Sequence, residues 1–369
     1  FKGSLTAPQA CHAISRGIRR RFPDAEVDEC PIADGGEGFV DAILSARPGQ
    51  KILAPCKDAL GRTVVASYGL LEEEHKRIAV LEMAEAAGLW RLSPKEHYPF
   101  DASTFGVGEL IKHAAQISGA EELVIGIGGS ATNDGGAGML AALGMKFLDE
   151  QGRELQPNPR CLMALSSIET NNLISLPTMT VACDVTNPLL GPRGATRIFG
   201  PQKGATPELM EKLEAFLNLY VEKLHGWENT EAPSAGAAGG LGFAFQHVLK
   251  ARLVPGFDLV SRTTGLARRI VWADCVVTGE GSLDLQSLSG KGPAGVALQG
   301  LIAAKPIVAM VGRVDGTIRT SGLFHHIEPI LEKGYSLAQC LNRGAEILED
   351  ETAELPWDTI LKPFGNEDF

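Results

Sequence analysis

No run of about 18 apolar residues occurs in this sequence, so nothing in it reads as a transmembrane helix. No signal peptide is recognisable. Cysteine is sparse and unpaired in pattern. The seven residues Cys11, Cys30, Cys56, Cys161, Cys183, Cys275 and Cys340 are odd in number, scattered and without a C-x-x-C pair. That excludes a disulfide framework and a zinc ribbon, and a reducing cytoplasm is the expected compartment. The eight histidines show no His-x-x-x-His spacing, so zinc is not expected. Positive charge is in deficit, with 34 Lys and Arg against 45 Asp and Glu and a net charge of −11. An acidic chain is a poor partner for nucleic acid or anionic membrane, and neither is expected. Repeats of fixed period and low-complexity tracts are absent as well.

Glycine is abundant, 43 of 369 residues, and it gathers in loops that follow apolar runs. Leu123 to Ile127 reads as a buried strand. It opens into Gly128-Gly129-Ser130-Ala131-Thr132-Asn133-Asp134-Gly135-Gly136, and a helical pattern resumes at Ala137. Glycines let a backbone approach a phosphate, and amides at a helix start point at an anion. Ser130 and Thr132 add donors, and Asp134 has the chemistry to hold a metal ion. The plainer alternative is a tight turn with an Asn or Asp cap. Two further loops share this character. Asp34-Gly35-Gly36-Glu37-Gly38 follows an expected strand around Val27, and Gly279-Glu280-Gly281-Ser282-Leu283-Asp284 follows the strand Cys275 to Thr278. Three acidic, glycine-rich loops at strand ends suggest one phosphate-and-metal site.

The chain length predicts two domains. Helices are expected at Ala7 to Arg21 with Thr6 as N-cap, at Gly38 to Ala46, and from about Gly106 to Ile117 capped by Thr104. Pro207 to Leu224 carries Leu209, Leu213, Phe216, Leu217, Tyr220 and Leu224 on one face. Strands are expected within Lys51 to Leu71, and at Arg77 to Met83, Met145 to Leu148, Met179 to Ala182 and Ile307 to Val311. Asn229 to Ala238 reads as a flexible loop. Alternating strands and helices predict an α/β fold with a mainly parallel sheet.

Gly290-Lys291 is not a P-loop, because Leu285 and Gly292 stand where Gly and Ser or Thr belong. Gly126-x-Gly128-x-x-Ala131, with Asp149 about 20 residues on, fits a dinucleotide fingerprint, so an NAD-dependent hydroxy-acid dehydrogenase is a rival. Asp184, placed at a strand end by prolines and glycines, is a candidate base or magnesium ligand. Lys203 offers a cation for a phosphate or carboxylate. A ligand sensor without turnover is a third class.

Six segments in order along the chain resemble the type-1 glycerate kinases of bacteria: Phe1 to Ala7, Pro31 to Gly38, Gly126 to Met139, Ala182 to Ala205, Ala235 to Gly242 and Val277 to Ala297. The resemblance implies an ATP- and Mg2+-dependent kinase that converts D-glycerate to 2-phosphoglycerate. It implies two α/β domains with the active site between them. One is flavodoxin-like, with a parallel sheet, and built from both chain ends (1–50 and 270–369). The other is an inserted mixed α/β domain (51–269). Expected catalytic residues are Asp184, Lys203 and Lys2. Expected nucleotide contacts are Gly128, Gly129, Ser130, Thr132, Asn133, Gly135, Gly136 and Lys291. Expected metal-side carboxylates are Asp134, Glu280, Asp284, Asp34 and Glu37. A homo-oligomer is left open. Family members carry a strand and an Asp-Ser pair ahead of the position of Phe1, and an Arg where this chain has Ser282.

Overall fold

Thr6 opens the first helix as its sequence requires. Its hydroxyl accepts from the Gln9 amide, the Gln9 side chain accepts from the Thr6 amide, and Pro8 sits in the first turn of Ala7–Arg21. The run Arg19-Arg20-Arg21 closes that helix, where cations suit the helix dipole, and Arg20 pairs with Asp350 at 2.7 Å. The computed structural model describes residues 1, 3–73, 76–284 and 292–362. Its contacts divide the chain into two units. The first is Phe1–Ala33, Asp41–Ala46 and Val260–Phe369, and the second is Asp34–Val40 and Arg47–Leu259.

The second unit is built on a six-stranded sheet in the order β1-β2-β3-β4-β7-β8. Its strands are β1 (Gly49–Lys57), β2 (Thr63–Glu73), β3 (Lys76–Glu82), β4 (Glu122–Gly126), β7 (Thr178–Ala182) and β8 (Arg252–Val254). Three of its five pairings are parallel, as the alternation of strands and helices predicts, while β1, β2 and β3 run antiparallel. The short connection between β1 and β2 is the reason: a tight turn can join only antiparallel neighbours. Asp58 makes that turn, its Oδ1 accepting from the Leu60 and Arg62 amides at 2.9 Å each. From β3 to β8 the sheet is parallel. β4 is central, with Leu123 and Ile125 fully buried, as expected of a strand covered on both faces. Met145 to Leu148 contributes β5 (Lys146–Leu148), which pairs antiparallel with β6 (Ser167–Glu169) in a separate ribbon.

The helix Pro207–Lys223 buries Leu209, Leu213, Phe216, Leu217 and Tyr220, the stripe that its spacing predicts. Asn229 to Ala238 is not a loose loop. Ala235 and Ala237 are buried, and Ser234 Oγ donates to the Val185 carbonyl at 2.7 Å. Its small residues serve close packing.

In the first unit, β9 (Val276–Leu283), β10 (Ile307–Val314) and β11 (His326–Pro329) form a parallel sheet in the order β11-β10-β9. The expected loop after Thr278 is instead strand, because β10 continues the ladder as far as Val314 opposite Leu283. The helices Ala7–Arg21 and Leu337–Glu354 bury Ala10, Ala13, Ile347 and Leu348 with Val308 and Met310. Val27 belongs to no ladder among the described residues, so the strand expected there is not formed. Among the described residues no helix is long and apolar enough to cross a membrane.

Candidate active site

β4 ends at Gly126, and the loop that leaves it is fastened on both sides. The Gly128 amide donates to the Gly35 carbonyl at 3.0 Å. A Cβ on Gly128 would stand 2.6 Å from the Gly36 Cα. Two of the three glycine-rich loops are therefore packed against each other, backbone to backbone. On the other side, the Leu89 amide donates to the Gly129 carbonyl and the Ala131 amide to the Ala87 carbonyl, both at 2.9 Å. Gly129 is exposed, Gly128 is half-buried and Ser130 is nearly covered, whereas Ala131 to Leu140 are all buried. Only Gly128, Gly129 and the edge of Ser130 reach the surface.

Asp134 lies inside, and this changes the reading of the whole segment. Its Oδ2 accepts from the Thr104 amide at 2.7 Å, the Thr104 hydroxyl at 2.8 Å and the Gly138 amide at 3.1 Å. Its Oδ1 accepts from the Gly136 amide at 3.1 Å. The Thr104 hydroxyl also receives the Met139 amide at 2.9 Å. The first amides of the helix Ala137–Ala142 are thus occupied by the protein's own carboxylate and hydroxyl, not left for a phosphate. The expectation of a free helix start is corrected, and the plainer alternative of an Asp cap holds. Thr104 does not cap the helix Phe105–Lys112, because its side chain is spent on Asp134 and Met139. Burial pushes the Asp134 carboxyl above its ordinary range, opposed by the Thr104 and glycine donors. Gly135 and Gly136 are interior too. A Cβ on Gly135 would lie 2.7 Å from Tyr220 Cε1, and the Gly135 amide donates to the Gly239 carbonyl at 3.0 Å.

Lys203 ends the short turn Pro201–Lys203 and is 1% exposed. Its Nζ donates to Ser130 Oγ at 2.7 Å and to the Thr132 carbonyl at 2.6 Å. It braces the loop just where it passes from surface to interior. Burial lowers its pKa to about 7, while the Asp134 carboxylate acts to raise it. Asn133 Nδ2 donates to Thr196 Oγ1 at 3.0 Å, holding the middle of the loop.

The remaining predicted residues fall into two places. Asp34 and Glu37 are exposed and Asp184 is half-buried. Asp184 Oδ1 accepts from the Gly256 amide at 2.8 Å, and the Asp34 carbonyl lies over the same Gly256. The Asp34 backbone and the Asp184 carboxylate thus meet at Gly256, while Asp34 Oδ1 accepts from the Gly36 amide at 3.2 Å. Glu280 and Asp284 belong to the first unit, on β9 and just beyond it. Among the described residues no group of three or more His, Cys, Asp and Glu is arranged to hold a metal. Lys2 and Lys291 lie outside the described residues. Glu82, which the sequence reading missed, accepts from the Gly38 and Val40 amides at 3.2 and 2.7 Å and fixes the end of the acidic loop. Its only signal is an acid at the end of an apolar strand.

The two kinds of glycine predict opposite phenotypes. Gly129 has φ +73° but open space, with Ala84 Cβ 3.6 Å from a built Cβ. Gly129→Ala costs about 1–2 kcal/mol of backbone strain and is expected to depress turnover in a folded protein. Gly135→Ala adds a clash with Tyr220 to the same strain, so its thermal midpoint is expected to fall further. Calorimetric melts and turnover of the two variants check this. Equal melting points would remove the distinction.

The dinucleotide fingerprint is not realised. The helix opens at Ala137, well past Ala131, and Asp149 is engaged by Arg153 at 2.8 Å in the turn after an antiparallel strand. Fold and loop define a mixed α/β protein with a lysine-braced glycine loop at the carboxyl end of a parallel strand, where such folds gather ligands. Residues 1–356 match the model of the glycerate kinase family. A glycerate kinase of Halalkalibacterium halodurans is 40% identical over 95% of this chain and 93% of its own. The glycerate 2-kinase of Escherichia coli K12 is 42% identical over 86% of this chain and 84% of its own. A crystal structure provisionally assigned as glycerate kinase 2 from Salmonella typhimurium LT2 superposes with a TM-score of 0.79 at 37% identity, covering 96% of this chain and 94% of that one. The chain belongs to the glycerate kinase family.

Proposed function

We propose that the protein transfers the terminal phosphoryl group of ATP to the 2-hydroxyl of D-glycerate, giving 2-phosphoglycerate and ADP with magnesium assistance. The observation that carries the reading is the Lys203 brace, which holds Ser130 and an exposed Gly128-Gly129 edge at a strand end in a chain of this family. Phosphoryl transfer asks the protein mainly for positioning and charge neutralisation. The Gly128-Gly129-Ser130 edge is the part of the loop open to phosphate. Thr132, Asn133, Asp134, Gly135 and Gly136 support it from within. Asp34 and Asp184 offer the hard oxygen donors that magnesium prefers, and one or two carboxylates suffice because the ion keeps several waters. The ion supplies neutralisation of phosphate charge when bound. Asp184 accepts the proton of the glycerate hydroxyl as the new phosphorus–oxygen bond forms and the bond to the departing ADP breaks. Lys203 keeps Ser130 in place. All seven cysteines are free, which suits a reducing compartment, and we assign the enzyme to the cytoplasm.

The test is a coupled assay of ADP release with D-glycerate, ATP and magnesium, with phosphorus NMR of the product. ADP release and a 2-phosphoglycerate signal are expected. A 3-phospho product would overturn the position of transfer. NADH formation from a hydroxy acid and NAD, without ADP release, would overturn the kinase.

A further inference from the structure

The first unit holds a cavity of about 490 Å³ between the helix Leu337–Glu354 and the C-terminal ends of β9 and β10. That volume suits a small organic ligand. Its walls are largely apolar: Ile330, Leu331, Leu337, Leu341, Ile347 and Leu348. Leu337 and Leu341 are 63% and 45% exposed, so part of this apolar lining still faces water. The helix bends beside the cavity. Arg343 has φ −126°, and the Cys340 carbonyl accepts from Ser4 Oγ at 3.0 Å. Glu280, Gly281 and Ser282 of β9 form the polar side. Beyond the lining, exposed Arg313 of β10 donates from Nε to Ser282 Oγ at 2.9 Å, and the two residues are register partners across the parallel ladder.

We propose that this cavity receives the purine base of the nucleotide, whose phosphates leave over Ser282 and Arg313. The inference rests on the kinase reading above. Polarity decides between the two substrates. A three-carbon hydroxy acid would lose its hydration among leucines and gain no partner, which costs free energy. A flat heteroaromatic ring gains from apolar burial and keeps its edge for the polar side. Position agrees, because α/β folds bind ligands outside the carboxyl ends of their parallel strands. The guanidinium of Arg313 supplies, from the neighbouring strand, a cation suited to a phosphate oxygen.

The experiment compares wild-type enzyme with Leu341→Trp, which fills the cavity from a partly exposed position, and with Arg313→Gln, an exposed substitution. KM is measured for ATP and for D-glycerate, and adenosine binding is measured by calorimetry. Leu341→Trp is expected to raise the KM for ATP at least about tenfold, a difference of about 1.4 kcal/mol. It should leave the KM for D-glycerate unchanged and abolish adenosine binding. Arg313→Gln should raise the KM for ATP and leave adenosine binding intact. A folded Leu341→Trp with wild-type KM for ATP would overturn the proposal, as would a rise confined to D-glycerate. Should Leu341→Trp not fold, Leu337→Glu at the more exposed position takes its place with the same expected results. Wild-type protein that binds adenosine but does not phosphorylate glycerate would sink the kinase reading and leave the base cavity standing.

Discussion

Asp134→Ala is expected to cost several kcal/mol of stability, and Asp134→Asn distinctly less. Alanine leaves the amides of Thr104, Gly136 and Gly138 and the hydroxyl of Thr104 without the acceptor they now share. Each buried group left unmade costs about 1–3 kcal/mol. Asparagine keeps one carbonyl oxygen, but its amide group turns donors toward donors, so part of the loss remains. The check is chemical denaturation of both variants beside wild type. A folded Asp134→Ala protein of unchanged stability that had lost magnesium dependence would return Asp134 to the metal. Thr104→Val belongs to the same unit of structure. It removes only the hydroxyl, and its loss should not add fully to that of Asp134→Ala.

Lys203→Met should change two quantities that a surface lysine would leave alone. The first is turnover. Methionine keeps much of the stem but cannot donate to Ser130 or to the Thr132 carbonyl, so kcat/KM is expected to fall at least about tenfold, or about 1.4 kcal/mol. The second is the dependence of stability on pH. The folded pKa lies near 7 against an ordinary 10.5. Between those values the unfolded chain binds the proton and the folded chain does not, so stability rises as pH climbs from about 7 towards 10.5. Below pH 7 both states are protonated and this contribution is flat. The variant should lack that rising limb. Denaturation midpoints at pH 6, 8 and 9 test it, and identical slopes for both proteins would place the Lys203 charge in water.

What the sequence disclosed about this molecule was mostly local. The buried stripe of Pro207–Lys223, the capping box at Thr6 and the apolar run of β4 follow from spacing within a few residues. The family could be read from motifs spread along the chain. The meaning of Asp134 could not. Its main partner Thr104 is 30 residues away, and Ser130 and Lys203 are 73 apart. Metal ligand and buried cap look alike in sequence, since both put an acid among glycines, and only the fold reveals which amides point at it. The same limit explains β9. Glycine, glutamate and serine read as loop until a partner strand supplies the ladder. It also explains β1 and β2, where the turn at Asp58 decides strand direction before any apolar pattern does. In the glycine-rich loop, the segment as a whole stood out, but not that Gly128 and Gly129 alone of its glycines reach the surface. The glycines buried against Tyr220 and Ala244 were not distinguishable from them.

The pairing of the first helix with the last long one has a consequence for synthesis. Arg20 finds Asp350 across a separation of 330 residues, and Arg16 finds Glu349 beside it. At about 5–20 residues per second, a ribosome needs roughly 15–65 s to make the intervening chain. Until β9 and β10 are made, late in that interval, the apolar face of Ala7–Arg21 lacks the strands it packs against, whereas the second unit has its whole chain once Leu259 is made. Non-local contacts of this kind slow folding. The helix Ala7–Arg21 therefore waits for residues made hundreds of positions later before it reaches its native packing.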